Sequence, residues 1–289
     1  MVRTGVDGAV TSSELRASSP TDGGGRMDST GTFSWYDLRT TDPDAAEAFY
    51  AAVVGWRVER AGDRRTFFRG AQPVATLSAL PERARARGAP AHWLGHLAVA
   101  EIEAATRCLA SRGGELLAPV AAEGGVAIVR DPQGAVLGLH QAAPGVARRA
   151  PLHDRAAIEG GLQTRGAIAW HELHTTDIDL AWATYAELAG WRSISSVDLG
   201  PPIGVYRTFA WPGSDRSVGG MANSARSPGI HTHWLFYFAT DDLDASIASV
   251  RAGGGLVADG PRRVRGDDLI AVAEDPQGAA FALVQPGGG

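Results

Sequence analysis

Residues 35–42 read WYDLRTTD, and residues 170–177 read WHELHTTD. Trp opens each stretch and Asp closes it, while acidic, basic and imidazole groups change places in between. In an extended chain successive side chains point to opposite faces, so each stretch divides into two sets. Tyr36 and Leu38 oppose Trp35, Asp37 and Arg39; in the copy, His171 and Leu173 oppose Trp170, Glu172 and His174. The more apolar face is expected to pack under helices, and the titratable face to line a cavity. Asp42, with Pro43 behind it, then reads as a helix cap, its side-chain oxygen taking a free N–H of the first turn. Ala46, Phe49, Tyr50 and Val53 follow at helical spacing, and Gly55 closes the helix.

The duplication extends outward from these stretches. GWR recurs at 55–57 and 190–192, HWL at 92–94 and 233–235, and RDPQGA at 130–135 is answered by EDPQGA at 274–279. Landmarks in the same order over such a length mark a duplicated domain rather than a solenoid unit. The expected division is a first domain over 31–141, a linker over 142–165 and a second domain over 166–286. Residues 1–30, rich in Gly, Ser, Thr and Asp, are expected to be a disordered extension, with Met27 as an alternative start. Each domain is itself doubled. HWLGHLAV and HWLFYFAT open a second strand–helix pair in the two halves, with helices from about Ile102 to Arg112 and from about Leu243 to Arg251. The scheme is strand, helix, three strands, four times over: an α+β fold.

Composition excludes several classes. A net charge of −5 leaves no electrostatic footprint for nucleic acid, and the arginine-rich PERARARG (81–88) reads as a solvated loop. No apolar run is long enough to span a membrane. Cys108, the single cysteine, excludes an intrachain disulfide and favours a cytoplasmic location; on the second helix it reads as a small buried apolar group.

The order W-x-[DE]-L-x-T-T-D, a helix tyrosine, Gly-Trp, H-W-L and D-P-Q-G resembles the vicinal oxygen chelate superfamily. That group includes glyoxalase I, bleomycin-resistance proteins and extradiol dioxygenases. The resemblance implies two tandem vicinal-oxygen-chelate-like domains, each of two βαβββ modules forming a half-open barrel with the ligand on its concave face. It also implies metal-ligand positions, which fall on Trp35, Leu94 and Gly138 and on Trp170, Leu235 and Ala282. Indole, alkyl and bare backbone cannot replace the imidazole and carboxylate donors of a divalent ion. No cofactor is therefore expected. One rescue stands beside this: Asp37, His96 and His140 lie two residues past the lost positions and compose a two-His, one-carboxylate set.

The candidate catalytic residues are Asp37, His92, His96 and His140 in the first domain and Glu172, His174 and His233 in the second. Trp35, Arg39, Leu94, Trp170, Leu235 and Tyr237 are the candidate substrate-binding residues. The richer histidine content makes the first domain the one to inspect first. His92 and His233 have a bland alternative, bonding backbone at a strand entrance. Tyr50 and Tyr185 read as helix–sheet core. The density of acids and bases favours a metal-independent isomerase, lyase or cyclase acting on a small carbonyl-bearing, partly apolar molecule of a secondary-metabolite kind. The alternatives are a binding protein that sequesters an antibiotic-like molecule and a metal enzyme with the relocated site. The expected partner is a small organic ligand, with the chain acting as a two-domain monomer or a homodimer.

Overall fold

The computed structural model describes residues 30–62, 64–118, 125–142, 165–201, 203–264 and 267–287. The expected extension over 1–30 and linker over 142–165 lie almost wholly outside the described residues. The first domain runs β1 (Phe33–Thr40), α1 (Pro43–Val54), β2 (Arg57–Ala61), β3 (Arg64–Arg69), β4 (Gln72–Ala79), α2 (Glu82–Arg85), β5 (His92–Val99), α3 (Ile102–Ser111), β6 (Glu115–Ala118), β7 (Val126–Arg130) and β8 (Val136–Gln141). The second repeats it as β9 (Ile168–His174), α4 (Ile178–Ala189), β10 (Arg192–Asp198), β11 (Val205–Ala210), β12 (Gly219–Ala222), β13 (His233–Ala239), α5 (Leu243–Ala252), β14 (Leu256–Arg263), β15 (Leu269–Glu274) and β16 (Ala280–Gln285). PERARARG is thus partly helical: α2 forms one turn there, with none of its residues buried.

Each domain is one eight-stranded sheet, in the order β2-β3-β4-β1-β5-β8-β7-β6 and its counterpart β10-β11-β12-β9-β13-β16-β15-β14. Within a module the last strand lies parallel to the first, β4 beside β1 and β8 beside β5, as a crossover helix requires. The two modules join where β1 runs antiparallel to β5, and β9 to β13. Capping follows the sequence reading. Asp42 accepts from the Ala45 N–H and Asp177 from those of Asp179 and Leu180, while Gly55 and Gly190 close their helices at φ 75° and 67°.

The apolar faces of the two sheets share a single core that draws residues from both domains. Here the structure adds what local patterning does not contain. Phe33 packs against the rings of His171, Trp191, Trp211, Trp234 and Phe236, all in the second domain. Gly95 stands where a Cβ would meet Phe236 at 2.7 Å, so a side chain there would wedge the domains apart. Helix α1 packs on α5 and α3 on α4, across the domain boundary.

The repeated landmarks mostly build this junction. Trp93 Nε1 donates to Tyr50 Oη at 2.8 Å, and Tyr50 donates in turn to Asp275 of the second D-P-Q-G turn at 3.2 Å. The mirror chain runs from Trp234 through Tyr185 to Asp131, at 3.0 Å for each bond. Each aspartate spends its other oxygen on N–H groups of its own turn. Trp56 donates to the Gly166 carbonyl and Trp191 to that of Gly31, again across the boundary. Tyr50 and Tyr185 are core residues, as expected, but their hydroxyls serve the opposite domain. Buried polar groups must find partners, and here the partners are inherited in exchange.

Candidate functional site

The faces turned away from the shared core carry most of the candidate site residues, one set per domain. In the first domain, strand pairing sets Trp35 opposite His96, Asp37 opposite Leu94 and Arg39 opposite His92, with His96 opposite Gly138. His96 Nε2 lies 2.9 Å from Asp37 Oδ2. Burial pushes the Asp37 carboxyl up, but His96, Arg39 and Thr76 outweigh it and hold the group below the usual carboxylate range. Trp35 Nε1 donates to Thr76 Oγ1 at 2.8 Å, so the indole is tied to the wall rather than free to swing. His140 bonds Ser34, whose hydroxyl lies 3.1 Å from the ring and donates to the His96 carbonyl. His92 places Nδ1 2.8 Å from the Pro90 carbonyl, the backbone role considered for it, and burial lowers its basicity. Leu94 is buried in the wall.

The proposed relocated metal set is not assembled. His96 is spent on Asp37 and His140 on Ser34, and the described residues contain no group of three His, Cys, Asp or Glu able to hold an ion. Nor does the inherited position fit. A Cβ on Gly138 would lie 2.3 Å from His96 Nδ1, so the imidazole occupies the space that a glutamate there would need. Gly138→Ala is accordingly expected to destabilise the protein by about 1–3 kcal/mol through overpacking. The same change should disrupt the Asp37–His96 contact, read as a shift of the His96 ring resonances in NMR.

The second set is built differently. Leu235 faces Glu172, Tyr237 faces Trp170 and His233 faces His174 across β9 and β13. Tyr237 Oη donates to Glu172 Oε2 at 2.5 Å, and Tyr206 on β11 bonds the same carboxylate. Trp170 Nε1 donates to Tyr206 Oη at 3.0 Å, completing a chain from indole to phenol to carboxylate. The Tyr206 ring fills the space above Gly220, where a Cβ would come within 2.3 Å of its oxygen. The Glu172 side chain keeps 14% exposure. Burial pushes its carboxyl up, against the opposing pull of Tyr237, Arg262, His233 and Tyr206. Around it stands a separate apolar cluster of Leu235, Tyr237, Ile270, Ala282 and Val284, flanked by Trp170 and Val272. The small Ala282 opposes Tyr237 directly.

Beside this cluster the rings of His174 and His233 stack at 4.7 Å. His174 Nδ1 lies 2.6 Å from Ser224 Oγ, and His233 Nδ1 lies 2.7 Å from the His231 carbonyl. Burial drives both rings down to about 4, and for His233 the neighbouring His174 adds to it. A base depressed on folding contributes stability above its ordinary value of 6.5, and that stability is lost as pH falls towards 4. Each ring alone is worth about 3 kcal/mol over that interval. His233→Gln should therefore flatten the acid limb of a urea-unfolding profile measured between pH 7 and 4. An unchanged limb would mean that the ring is already solvated.

Two contributors escaped the sequence reading, Tyr206 and Arg262. Tyr206 sits in VYRTFA, where alternation pairs it with Thr208 against Arg207 and Phe209, so the signal was present but unanchored. Arg262 comes from β14, whose pairing slips at Asp259 on the way to it, and no simple alternation survives there. Its Nε bonds Asp259 at 2.7 Å, and its charge acts on Glu172, Tyr206 and Tyr237. Cys108 is not buried as expected. It is half-exposed beside Glu187, and its thiol is pushed up by desolvation and by that carboxylate. A thiol raised in this way is a poor nucleophile.

Comparison with known proteins agrees with the architecture. The sequence matches the profile described as Glyoxalase/Bleomycin resistance protein/Dioxygenase superfamily over residues 32–139 and again over 167–283. The CFP32 protein of Mycobacterium tuberculosis is 32% identical over 265 residues, covering 89% of this chain and 95% of that protein. The anthracycline biosynthesis protein DnrV of Streptomyces peucetius is 35% identical over 133 residues, 42% of this chain and 48% of that protein. Among solved structures, the Mn(II)-bound glyoxalase of Novosphingobium aromaticivorans superposes with a TM-score of 0.56 at 14% identity, covering 90% of this chain and 83% of that one. The 2,3-dioxygenase LapB of Pseudomonas sp. KL28 gives 0.55 at 14% identity, covering 88% and 92%. With both halves matched and the eight-stranded sheet formed twice, the chain belongs to the glyoxalase/bleomycin resistance/dioxygenase superfamily as a tandem two-domain member.

Proposed function

We propose that the second domain is a metal-independent acid–base catalyst acting on a small, partly apolar, carbonyl-bearing organic molecule. The observation that carries this reading is Glu172, a largely but not fully buried carboxyl held between two phenolic hydroxyls at the edge of an apolar cluster. Desolvation makes the ionised carboxylate a stronger base, and the tyrosine O–H groups keep it oriented. A ligand lying along Trp170, Ile270 and Val284 presents its carbonyl to Tyr206 or Tyr237. The freed Glu172 oxygen then removes a proton from the carbon next to that carbonyl. The developing oxyanion is met by the phenol and by the nearby Arg262 charge. The resemblance to an anthracycline biosynthesis protein supports a ligand of secondary metabolism, in which carbonyl groups on flat ring systems are common reactive positions.

Deuterium incorporation next to the carbonyl of 2-acetylnaphthalene and of 1,3-diketones, followed by NMR in D2O, tests the reaction class. Saturable exchange above the buffer rate, lost in Glu172→Gln, is the expected result. Binding of these compounds with no exchange would instead favour sequestration, which the apolar cluster around Tyr237 also suits.

A further inference from the structure

We propose that the first domain carries a second, chemically distinct ligand site, anchored on Arg39 and His92 and selective for hydroxy-carbonyl compounds. Arg39 sits on the inward face of β1, opposite His92 of β5 and beside Ser78 of β4. Its side chain is 25% exposed, and its acidic neighbour, Asp37 Oδ2, stands at 3.8 Å and already serves His96. The Arg39 Nε is enclosed and has no hydrogen-bond partner among the described residues. A buried N–H left unmade is costly, and one on a cation more so, which makes it a marker for an acceptor supplied from outside.

The residue facing it has the opposite need. A carbonyl only accepts, so the Pro90 oxygen requires the proton of His92 on Nδ1, and the neutral ring then presents a bare Nε2 lone pair. Residues directly opposite in an antiparallel pair have Cα atoms only about 4.5–5.5 Å apart. An enclosed N–H without an acceptor and an imidazole with Nε2 open to a donor therefore belong to two directly opposed residues. A ligand oxygen of a carbonyl or carboxyl group satisfies Arg39, and a neighbouring hydroxyl of the same ligand satisfies His92. Asp37 limits how much negative charge the site tolerates and keeps the requirement on hydrogen-bond pattern rather than on charge alone. The second domain has lost this arrangement: His174 replaces Arg39 and is tied to Ser224 and stacked on His233. The two sites have therefore diverged in what they hold, and this one does not depend on the Glu172 reading.

The test uses the full chain and four probes: 2-hydroxyacetophenone, mandelate, acetophenone and phenylacetate. The readouts are calorimetric affinity and the Arg39 Nε–H and His92 ring resonances in NMR. The hydroxylated member of each pair is expected to bind about tenfold tighter than its deoxy analogue and to shift both sets of resonances. Arg39→Gln and His92→Phe should each bring that preference below about threefold, while Glu172→Gln leaves it intact. Whether the ketone or the acid binds tighter identifies the oxygen that Arg39 takes. Resonances that stay unmoved at millimolar probe, or a hydroxyl preference that survives Arg39→Gln, would overturn the proposal. If the preference vanished in Glu172→Gln instead, the only ligand site would be in the second domain.

Discussion

Glu172→Gln will cut protein-dependent exchange next to a ligand carbonyl by about 10²–10⁴-fold, the usual contribution of a positioned general base, while its thermal midpoint at pH 8 rises. The two effects have one origin. Burial raises the Glu172 carboxyl above its ordinary 4.5. A carboxyl raised on folding contributes stability that is fully present below its unfolded value and is lost as pH rises through its folded one. At pH 8 the wild-type protein therefore carries the cost of an ionised, desolvated group. Glutamine keeps an acceptor for the Tyr237 hydroxyl and carries no charge, so it removes that cost along with the base. Ligand affinity should stay within about tenfold, because Trp170 and the aliphatic wall are untouched. A variant that lost activity and stability together would indicate that Glu172 is a structural acceptor for Tyr237 and nothing more. The tyrosines refine the test. Tyr237→Phe removes a donor but leaves the base, so it should reduce exchange less than Glu172→Gln does and leave its pH dependence on the same limb.

Alternation in two eight-residue stretches was enough to place Asp37, Glu172, His174 and their facing residues on the inward faces, because a strand's period of two is fixed by backbone geometry. It could not rank them. The first domain looked richer because it has more histidine, but titratable groups count only when their partners leave them free. His96 and Asp37 consume each other over Gly138, and that depends on a cross-strand distance that no local pattern encodes. In the second domain the decisive neighbours, Tyr206 and Arg262, arrive from strands bounded by a glycine–proline loop and by slipped pairing, where register is lost to inspection. That the family's metal positions hold Trp, Leu, Gly and Ala is legible in sequence because it is a matter of residue type, not of geometry. The junction between domains was the largest omission. Its polar ties come from the repeats Gly-Trp, His-Trp-Leu and Asp-Pro-Gln-Gly, yet repetition alone does not say that each copy completes the other, and Phe33 at its centre lies outside all three.

That reciprocity supplies the second large effect. Phe33→Ala should destabilise the whole chain by about 3–5 kcal/mol, the usual range for removing a buried phenylalanine, and both domains should report the loss equally. Phe33 belongs to the first domain by sequence, but five of its ring neighbours belong to the second, at centroid distances from 5.1 to 6.1 Å. The void left by alanine opens between two sheets that are also held by Tyr50–Asp275, Tyr185–Asp131 and the two tryptophan-to-carbonyl bonds. Those polar contacts resist collapse of the gap, because closing it would strain bonds that are buried. The cost should therefore fall in the upper part of the range. Hydrogen exchange read separately over β5 and β13 distinguishes the possibilities. Equal loss of protection in both strands means that the domains unfold as one cooperative unit, as a shared core requires. Loss confined to β5 would mean that each domain is stable alone and that the repeated tyrosine and aspartate pairs merely align two independent bodies.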